Sequence, residues 1–479
     1  MKKQITRREL FKAAIYGTGL CLFGKHTVLA KSGYAFGLSQ DDNPLPIDPN
    51  NPSIAYHPEE CQFCGLCRKF CRNEMTVFGH AVSQGEEACI NCGQCTHFCS
   101  MVITEKYNYK DVTSAIADPD KIVIASIAPS IRVSLGEMYG IDYDTNIEGK
   151  IVSSLKKFGV KEVFDLSFSA DLTVVEEASE LLMRLEKKHT EHPLPMFTSC
   201  CPSWVRFAKL FYPELLPNLS TTKSPLMMQG ALSKTYYAQK RGIDPAKIVN
   251  VAITPCTSKK AEILLPGMNV AGLSQGNPEM RDVDFALTCR ELSYLINEGG
   301  IDFSQMPDES YSSFMASGSG AGVIFGNTGG VMEATLRTAY KLLNNKKPPE
   351  DFFNLTPVRG FEDVREATVN LNKCTLNLAV VHGVKQVRPL IESIQNGSKR
   401  FDFVEVMACS GGCIGGGGQP LRRSMDATEL KKLRRNALYQ RDADKKIRLS
   451  CDNPQIKAIY KDFLGEPLSK KSKELLHTI

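Results

Sequence analysis

From about residue 120 onward, short apolar runs rich in β-branched residues alternate along the chain with longer stretches of helical period. Runs this short and continuous are typical of strands buried on both faces of a parallel sheet. The predicted strands are Lys121–Ile127, Glu162–Leu166, Val249–Ile253, Val283–Leu287, Thr375–Val381 and Asp402–Val406. The predicted helices include Leu172–Leu185, Pro225–Lys240, Gly330–Leu343 and Lys385–Ile394. This alternation predicts an α/β fold, with parallel sheets flanked by helices.

The remaining pattern divides the chain. Residues 31–53 are rich in proline and lack an apolar period, and we interpret them as a linker. A compact Cys-rich unit is predicted at 54–108 and the α/β region at 109–420. The tail, 421–479, has a helical pattern rich in Lys and Arg and contains no recognisable chemical motif.

The first thirty residues resemble a twin-arginine export signal. Arg7 and Arg8 precede a short apolar stretch, 13–23, and the small-residue end Val28-Leu29-Ala30 follows. An amphipathic helix opening the first domain is the alternative, but basic residues before such a short apolar run favour a signal. The twin-arginine machinery moves folded proteins, which suits a protein that receives its cofactors in the cytoplasm. We therefore predict a periplasmic protein.

Charge and hydropathy exclude two other classes. The chain has a formal net charge of +5, and residues 1–30 alone contribute six Lys or Arg and one Glu. Signal removal would leave a chain of about zero net charge, which argues against nucleic acid as a partner. No apolar run is long enough to span a bilayer, so no transmembrane anchor is predicted.

Seventeen cysteines depart from ordinary composition, and eight of them repeat one spacing. These eight are Cys61, Cys64, Cys67, Cys71, Cys89, Cys92, Cys95 and Cys99. A doubled CxxCxxCxxxC run is typical of ferredoxins with two 4Fe-4S clusters, in which the fourth Cys of each run crosses to the other cluster. Cys99 would then complete the first cluster and Cys71 the second. Zinc is the alternative, but its sites rarely use this spacing. Arg72 and Ser100 stand where bacterial ferredoxins usually carry Pro.

Three further motifs contain cysteine: 198–204 (TSCCPSW), 254–262 (TPCTSKKAE) and 405–420 (EVMACSGGCIGGGGQP). Cys256 and Cys409 each come three residues after a predicted strand, where ligands of parallel sheets bind. In this order, and after a paired-cluster unit, the motifs resemble those of the iron-only (FeFe) hydrogenases. The resemblance covers about 420 residues. It implies two lobes of parallel sheet around an active site, a ferredoxin-like α+β domain in front, and a tail similar to a fused small subunit.

The resemblance also implies a cofactor, the H-cluster. A third 4Fe-4S cubane would be held by Cys201, Cys256, Cys409 and Cys413, and the sulfur of Cys413 would bridge it to a diiron subsite with CO, CN and dithiolate ligands. Cyanide on iron is an anionic acceptor, which a buried ammonium such as that of Lys259 would suit. The 411–418 glycines would let backbone approach a bulky inorganic group. The implied cofactor-binding residues are Pro129, Ser130, Lys259, Met407, Gly412, Gly415 and Gln419.

The resemblance further implies a proton relay. Cys200 would exchange a proton with Glu180, Ser220 and Glu177 would continue the path, and Arg184 would stand at its mouth. Glu177 and Glu180 share one face of a predicted helix, and a solvated face is the alternative for such a pair. A buried Glu near thiols should have a raised pKa. Lys259 and Glu262 of the second motif complete the predicted catalytic set.

The predicted function is reversible oxidation of dihydrogen to protons and electrons. Electrons would pass through the ferredoxin clusters to an exported carrier such as a c-type cytochrome, and hydrogenase maturases would assemble the cofactor. Thr254 and Leu226 replace the Met and Gln usual in active relatives. A hydrogen-sensing or slow regulatory relative is therefore one alternative, and an iron-sulfur assembly scaffold is another. Cys289, Cys374 and Cys451 match no ligand position and are expected to be buried free thiols.

Overall fold

A computed structural model describes residues 45–82, 88–99, 102–186, 191–421 and 425–478. The predicted export signal, the first part of the predicted linker and Ser100 lie outside these ranges. Within them, no helix combines the length and hydrophobicity needed to cross a membrane.

The strands of the described residues are β1 (Ile54–Tyr56), β2 (Ile103–Glu105), β3 (Ile122–Ile127), β4 (Glu162–Asp165), β5 (Met196–Phe197), β6 (Ile248–Thr254), β7 (Phe285–Thr288), β8 (Val364–Asn370), β9 (Thr375–His382) and β10 (Phe403–Met407). The α-helices are α1 (Leu66–Asn73), α2 (Tyr109–Ala117), α3 (Glu148–Phe158), α4 (Leu166–Leu185), α5 (Pro202–Phe211), α6 (Pro225–Leu232), α7 (Ala238–Arg241), α8 (Lys259–Glu262), α9 (Val270–Leu273), α10 (Cys289–Glu298), α11 (Gly320–Ile324), α12 (Gly330–Asn344), α13 (Val384–Gln395), α14 (Ala427–Asp444), α15 (Pro454–Ile459) and α16 (Lys470–Leu476).

Two four-stranded sheets form the centre of the molecule. One has the order β4-β3-β6-β7 and is parallel throughout. The other has the order β5-β10-β9-β8, and its first three strands are parallel. Strands β3, β6 and β10 are buried along almost their whole length, as uniformly apolar strands covered on both sides should be. The predicted α/β fold with parallel sheets and flanking helices is confirmed.

The predicted strands omitted β8, which pairs antiparallel with β9. Its sequence alternates and its burial alternates with it, because it is an edge strand with one solvated face. The predicted helix Pro225–Lys240 is helical throughout but is not a single α-helix. A π-helical turn, Ser233–Tyr237, separates α6 from α7.

Helix α4 lies between the two sheets and is buried along most of its length. It begins six residues earlier than predicted, at Leu166, because the side chain of Asp165 caps it by accepting a hydrogen bond from Ser167 N at 2.9 Å. It packs against α6, α11 and α12. This position brings its polar side chains into the interior, where they need partners.

The front unit, which we define as residues 45–108 where described, is a small α+β structure. Strands β1 and β2 pair antiparallel beside α1. Leu45 and Asn51 are buried in this unit. The interpretation of residues 45–53 as linker is therefore wrong, because these residues pack against the Cys-rich core.

The tail is helical, as predicted, and is firmly attached. The guanidinium of Arg337 on α12 donates to Glu333 at 2.5 Å and to Asp442 of α14 at 2.8 Å. All three side chains are fully buried. Asp171 of α4 likewise accepts hydrogen bonds from Ser450 and Asn453 of the tail. Buried charges of this kind require their partners, so the tail is part of the core.

Candidate active site

A cavity lies beyond the carboxyl ends of β3, β6 and β10. Its lining is mostly apolar apart from the cysteine sulfurs, the hydroxyl residues Ser130, Ser203 and Thr254, and the ammonium of Lys259. The lining includes Pro129, Ser130, Cys200, Cys201, Leu226, Thr254, Cys256, Lys259, Met407, Cys409, Gly412 and Cys413. The three sequence motifs therefore meet at one place, at the sheet edge where α/β proteins bind ligands.

Hydrogen bonds fix the motif loops to one another. The only Trp of the chain, Trp204, donates from Nε1 to Thr198 O at 3.0 Å and so closes the first loop on itself. Thr198 Oγ1 accepts from Val406 N at 3.1 Å, which ties the first loop to β10. Gly418 N donates to Pro255 O at 2.8 Å, which ties the third loop to the second. The positions of the loop thiols are consequently interdependent.

The four thiols predicted to hold the third cubane are enclosed. Burial raises the pKa of Cys256 to about 12, and the neighbouring Cys201 adds to the shift. Burial also raises the pKa of Cys201, Cys409 and Cys413. Thiols in such surroundings ionise only when a cation compensates the thiolates. This donor set therefore fits a metal cluster.

Two polar groups at the cavity fit anionic ligands. Lys259 Nζ donates to Cys200 O at 3.1 Å and to Glu262 Oε2 at 2.7 Å, which leaves one of its three hydrogens for a further acceptor. Ser130 Oγ is buried and has no hydrogen-bond partner among the described residues. Because an orphaned buried hydroxyl is costly, a bound acceptor would complete it.

The predicted role of the 411–418 glycines needs correction. A Cβ at Gly412 would lie 2.7 Å from Thr328 N, one at Gly416 would lie 2.4 Å from Pro255 O, and one at Gly417 would lie 2.1 Å from Cys92 O. These atoms belong to the protein backbone. Gly412 and Gly416 also line the cavity. The glycines thus chiefly let the loop lie close against neighbouring chain segments, and only some of them border the space for a cofactor.

Two predicted cofactor-binding residues do not line the cavity. Gly415 O accepts a hydrogen bond from Gln94 Nε2 at 2.8 Å. Gln419 Nε2 donates to Cys413 O at 3.3 Å. Gly415 and Gln419 support the loop that carries Cys413. Gly415 contacts the front unit, and Gln419 contacts the loop itself.

The relay residues lie together, but in a different order from the predicted one. Glu177, not Glu180, is the carboxyl group whose charge acts on Cys200. Glu177 is fully buried, and its Oε1 has no hydrogen-bond partner among the described residues. Burial, together with the charges of Glu180 and Glu405, raises its pKa to about 8. A carboxyl group with this pKa exchanges protons near neutral pH, as expected for a relay.

Glu180 forms the outer end of the group. It accepts from Ser220 Oγ at 3.0 Å, from Thr221 N and Oγ1, and from Arg184. Arg184 is itself buried, and it also donates to Leu219 O at 2.7 Å. The prediction that Arg184 stands at the mouth of the relay is wrong, because its guanidinium holds Glu180 inside the protein.

The thiols of the front unit fall into two groups. Cys61 and Cys67 both have Cys64 and Cys99 as electrostatic neighbours. Cys71 and Cys95 both have Cys89 as a neighbour, and Cys92 has Cys95 and Cys71. Cys67 is also an electrostatic neighbour of Cys71 and Cys95, so the two groups adjoin. The crossed pairing stays a prediction from the spacing. Among the described residues no three potential ligands converge closely enough to hold a single ion.

The front unit and the catalytic loops are in contact, which the sequence motifs did not predict. Gln94 Nε2 donates to Cys409 Sγ at 3.3 Å as well as to Gly415 O. Thr257 Oγ1 donates to Asn91 O at 2.8 Å. Cys92 and Cys409 are close enough for their charges to interact. Their sequence separation exceeds 300 residues, so spacing alone carries no signal of this contact.

The remaining sequence departures are also located. Thr254 and Leu226 both line the cavity. Cys289 is buried, as expected, whereas Cys374 and Cys451 are only half-buried. The expectation of buried thiols therefore holds for one of the three.

An enclosed group of loop thiols at the strand ends, beside a second set of thiols in ferredoxin spacing, defines a metal-thiolate redox protein. Residues 121–417 match the iron-only hydrogenase large subunit, C-terminal domain, and residues 428–479 match the iron hydrogenase small subunit.

Known proteins are similar over most of the chain. Iron hydrogenase 1 of Clostridium pasteurianum is 36% identical over 478 residues, covering 95% of this chain and 81% of that protein. The periplasmic Fe hydrogenase large subunit of Nitratidesulfovibrio vulgaris is 42% identical, covering 78% and 88%. The structure of an apo FeFe-hydrogenase variant of Chlamydomonas reinhardtii superimposes with a TM-score of 0.68 at 38% identity, covering 78% and 98%. A cytosolic iron-sulfur assembly component of Bos taurus is similar at 30% identity, covering 76% and 75%.

The chain belongs to the iron-only hydrogenases. It is an oxidoreductase that acts on dihydrogen and protons, and it combines the large-subunit catalytic domain with a small-subunit-like segment. The family implies an H-cluster and iron-sulfur clusters.

Proposed function

We propose that this enzyme interconverts dihydrogen with protons and electrons at an H-cluster seated in the thiol-lined cavity. The observation that carries the proposal is the meeting of Cys201, Cys256, Cys409 and Cys413 around one cavity beside the Lys259 ammonium. Cys413 would bridge the cubane to the diiron subsite. When bound, the cofactor supplies the centre at which dihydrogen is split or formed.

The chain's own residues bind the anionic ligands and keep water away. Lys259 offers one remaining hydrogen to an anionic acceptor, and Glu262 holds its ammonium in place. Pro129 and Ser130 also line the cavity, and the unpartnered hydroxyl of Ser130 would supply a further polar contact. The apolar remainder, including Leu226 and Met407, encloses the site. Enclosure strengthens each of these polar interactions because no water competes for them.

Proton transfer would run from Cys200 to Glu177, then through Ser220 to Glu180. Glu177 lies on the Cys200 side, and the hydroxyl of Ser220 donates to Glu180. The unpartnered Oε1 of Glu177 suits a bridging water between the carboxyl group and the thiol. Arg184 holds the outer carboxylate in place.

Electrons would leave through two 4Fe-4S clusters in the front unit. Cys61, Cys64, Cys67 and Cys99 would hold the outer cluster, and Cys71, Cys89, Cys92 and Cys95 the inner one. The inner set adjoins Cys409 through Gln94, and Cys64 of the outer set is exposed. Clusters in this order would carry electrons from the buried cavity to the protein surface.

Export by the twin-arginine route would place the enzyme in the periplasm, after maturases insert the cofactor in the cytoplasm. A c-type cytochrome would then be a suitable electron carrier. The proposal rests on Arg7, Arg8 and the short apolar stretch after them, and the periplasmic relative agrees with it. Fractionation of cells that express the full chain, compared with an Arg7→Lys, Arg8→Lys variant, tests it.

Infrared spectroscopy of the matured protein, with dihydrogen uptake and evolution assayed by a viologen dye, tests the function. We expect carbon monoxide and cyanide bands and turnover in both directions. Absence of the bands would exclude the H-cluster and leave an assembly scaffold as the better interpretation.

A slow, hydrogen-sensing enzyme is the second candidate, because Thr254 and Leu226 both line the cavity. Bands with very slow turnover would favour it. Thr254→Met and Leu226→Gln, made singly, should then raise the rate if these two side chains are the cause.

A further inference from the structure

The end of the chain reaches the outer carboxylate of the relay. Thr478 N donates to Thr221 O at 2.7 Å, and Lys223 N donates to Leu476 O at 2.8 Å. Residues 476–478 therefore lie along 221–223 in the manner of a paired strand. The first segment belongs to the small-subunit-like match and the second to the large-subunit match. The contact joins the two parts of the chain at the relay itself.

A line of hydrogen bonds crosses this contact. Glu180 Oε2 lies 3.1 Å from Thr221 Oγ1, which lies 2.7 Å from Nδ1 of His477. Nε2 of His477 lies 3.0 Å from Oε2 of Glu176. Glu176, Glu180 and His477 are all buried, whereas Thr221 is half-buried beside an open cleft. The line thus runs from the relay to a buried imidazole–carboxylate pair.

Glu176 is held as a carboxylate. It accepts from Tyr460 at 2.5 Å, from Leu468 N at 2.9 Å and from the hydroxyl of Ser472. Burial alone would raise its pKa, but hydrogen bonds and the charge of His477 outweigh burial, and the pKa is lowered. A carboxylate has no hydrogen to donate, so Nε2 of His477 must carry one.

The state of Nδ1 then decides which way the Thr221 hydroxyl points. If Nδ1 is unprotonated, it accepts a hydrogen bond from the Thr221 hydroxyl. Glu180 can then hydrogen-bond to the Thr221 oxygen only if its carboxyl group is protonated and donates. If Nδ1 is protonated, it donates to Thr221, whose hydroxyl then donates to the Glu180 carboxylate. The two arrangements differ by one proton moved between Glu180 and His477.

Resting on the proposed relay, we propose that His477 is a positioning residue that holds a proton for Glu180. In the transfer, the Glu180 carboxyl group gives its proton to Thr221 Oγ1 while the Thr221 hydroxyl gives its own to Nδ1. The products are a Glu180 carboxylate and an imidazolium bonded to Glu176, so atoms and charge balance. The groups around His477 are Glu176 and Tyr460 on one side, and Thr221, Glu180 and Arg184 on the other. The Lys223 ammonium donates to Gly267 O and is held there.

The first test uses the unloaded protein and nitrogen-15 histidine NMR. We expect the nitrogen-15 signals to show a hydrogen on Nε2 of His477, and Glu180→Gln should shift the Nδ1 signal because it changes the group that bonds to the Thr221 hydroxyl. Thr221→Val should abolish the shift, and Thr221→Ser should restore it. The matched control is Thr478→Val: its hydroxyl donates to Thr221 O, so the Nδ1 signal should be unchanged. No response of His477 to Glu180→Gln would overturn the proposal.

The second test uses the loaded enzyme. Thr221→Val should leave the infrared bands in place and slow turnover by about tenfold, which corresponds to one hydrogen bond to a charged group. Thr221→Ser should recover the rate, and Thr478→Val should match the wild type. A loss shared by the Val and Ser variants would contradict the proposal. Failure of the bands in the wild-type protein would instead reject the proposed function, whatever the NMR experiment gives.

Discussion

The front unit and the catalytic cavity use the same kind of ligand in opposite settings. The front thiols come from one stretch, residues 61–99, and they include exposed Cys64 as well as buried Cys67. The four catalytic thiols come from residues 201–413, and a protein cavity encloses them all. The first set is organised by local spacing and the second by the ends of separate strands. A wire to the surface needs a partly open end, whereas a site for dihydrogen chemistry needs an enclosed one.

The largest expected effect separates the two sets directly. Cys413→Ser should abolish turnover, because it removes the sulfur proposed to join the cubane to the diiron subsite. The two front clusters should survive, since no catalytic loop contributes to them. Iron content, the infrared bands and the electron paramagnetic resonance of the front clusters measure this. Cys64→Ala is the reciprocal variant: it should lose one front cluster and keep the bands. Loss of both the front clusters and the infrared bands in either variant would contradict the independence of the two thiol sets.

Cys200→Ala should slow turnover by about a hundred- to ten-thousandfold, the range for losing a proton-transfer group. The cofactor should remain bound, because ligation belongs to the neighbouring Cys201. Infrared bands and dye-linked assays on the same preparation check both statements. Cys289→Ala is the control, since that thiol is also buried but is not among the residues that line the cavity. Retained activity in the Cys200 variant would falsify the relay assignment.

Glu177→Gln should change the pH dependence of stability. The pKa of Glu177 is about 8 in the folded chain against an ordinary 4.5, so between these values the folded state keeps a proton that the unfolded state has released. The free energy of unfolding therefore falls as pH rises through this window, by up to about 1.4 kcal/mol per pH unit. Gln removes this contribution, so the variant should gain on the wild type from pH 5 to pH 8. Urea unfolding of the unloaded protein measures it.

The control for that experiment is Glu186→Gln, an exposed position just beyond the same helix. An equal trend in both variants would mean that the enclosure of Glu177 is not its cause.

The smallest expected effect is electrostatic. Lys431 of the tail lies against the 411–415 loop and interacts with the charge of Cys409. Removing this positive charge should make the reduction potential of the loop cubane more negative, because the reduced cluster carries more negative charge. Redox titration of Lys431→Met, in protein matured without the diiron subsite, measures the shift. Lys432→Met is the matched control, since Lys432 is half-exposed and lies near Glu429. Equal shifts of the reduction potential in the two variants would show that the buried position of Lys431 adds nothing to its effect.

Local sequence patterns predicted the structural features that depend on residues close together in the chain. Strands β3, β6, β9 and β10 were found from their apolar runs. The grouping of the front thiols into two ligand sets stays a prediction from their spacing. The order of the relay could not be predicted, because Glu177 and Glu180 share one helix face and sequence does not tell which one faces Cys200. The contact of His477 with Thr221 was missed for a related reason. A lone His in a charged tail carries no signal until folding sets it beside Thr221.

The glycines show the same limit. The number of glycines predicted that the loop backbone approaches a cofactor closely. Gly412, Gly416 and Gly417 instead approach other backbone segments, which only the three-dimensional structure identifies. Edge strand β8 was missed because an alternating, charged sequence differs from the uniformly apolar pattern of the central strands.

The seam between Gly417 and Cys92 has a practical consequence for protein engineering. A Cβ on Gly417 would come within 2.1 Å of Cys92 O, so the surfaces interlock without space for an added methyl group. A chimaera that takes its electron-input module from another enzyme must therefore inherit both sides of the joint, residues 91–94 together with 415–418. Swapping the module alone would leave two surfaces shaped for other partners, and the proposed path for electrons would be interrupted where it meets the cavity.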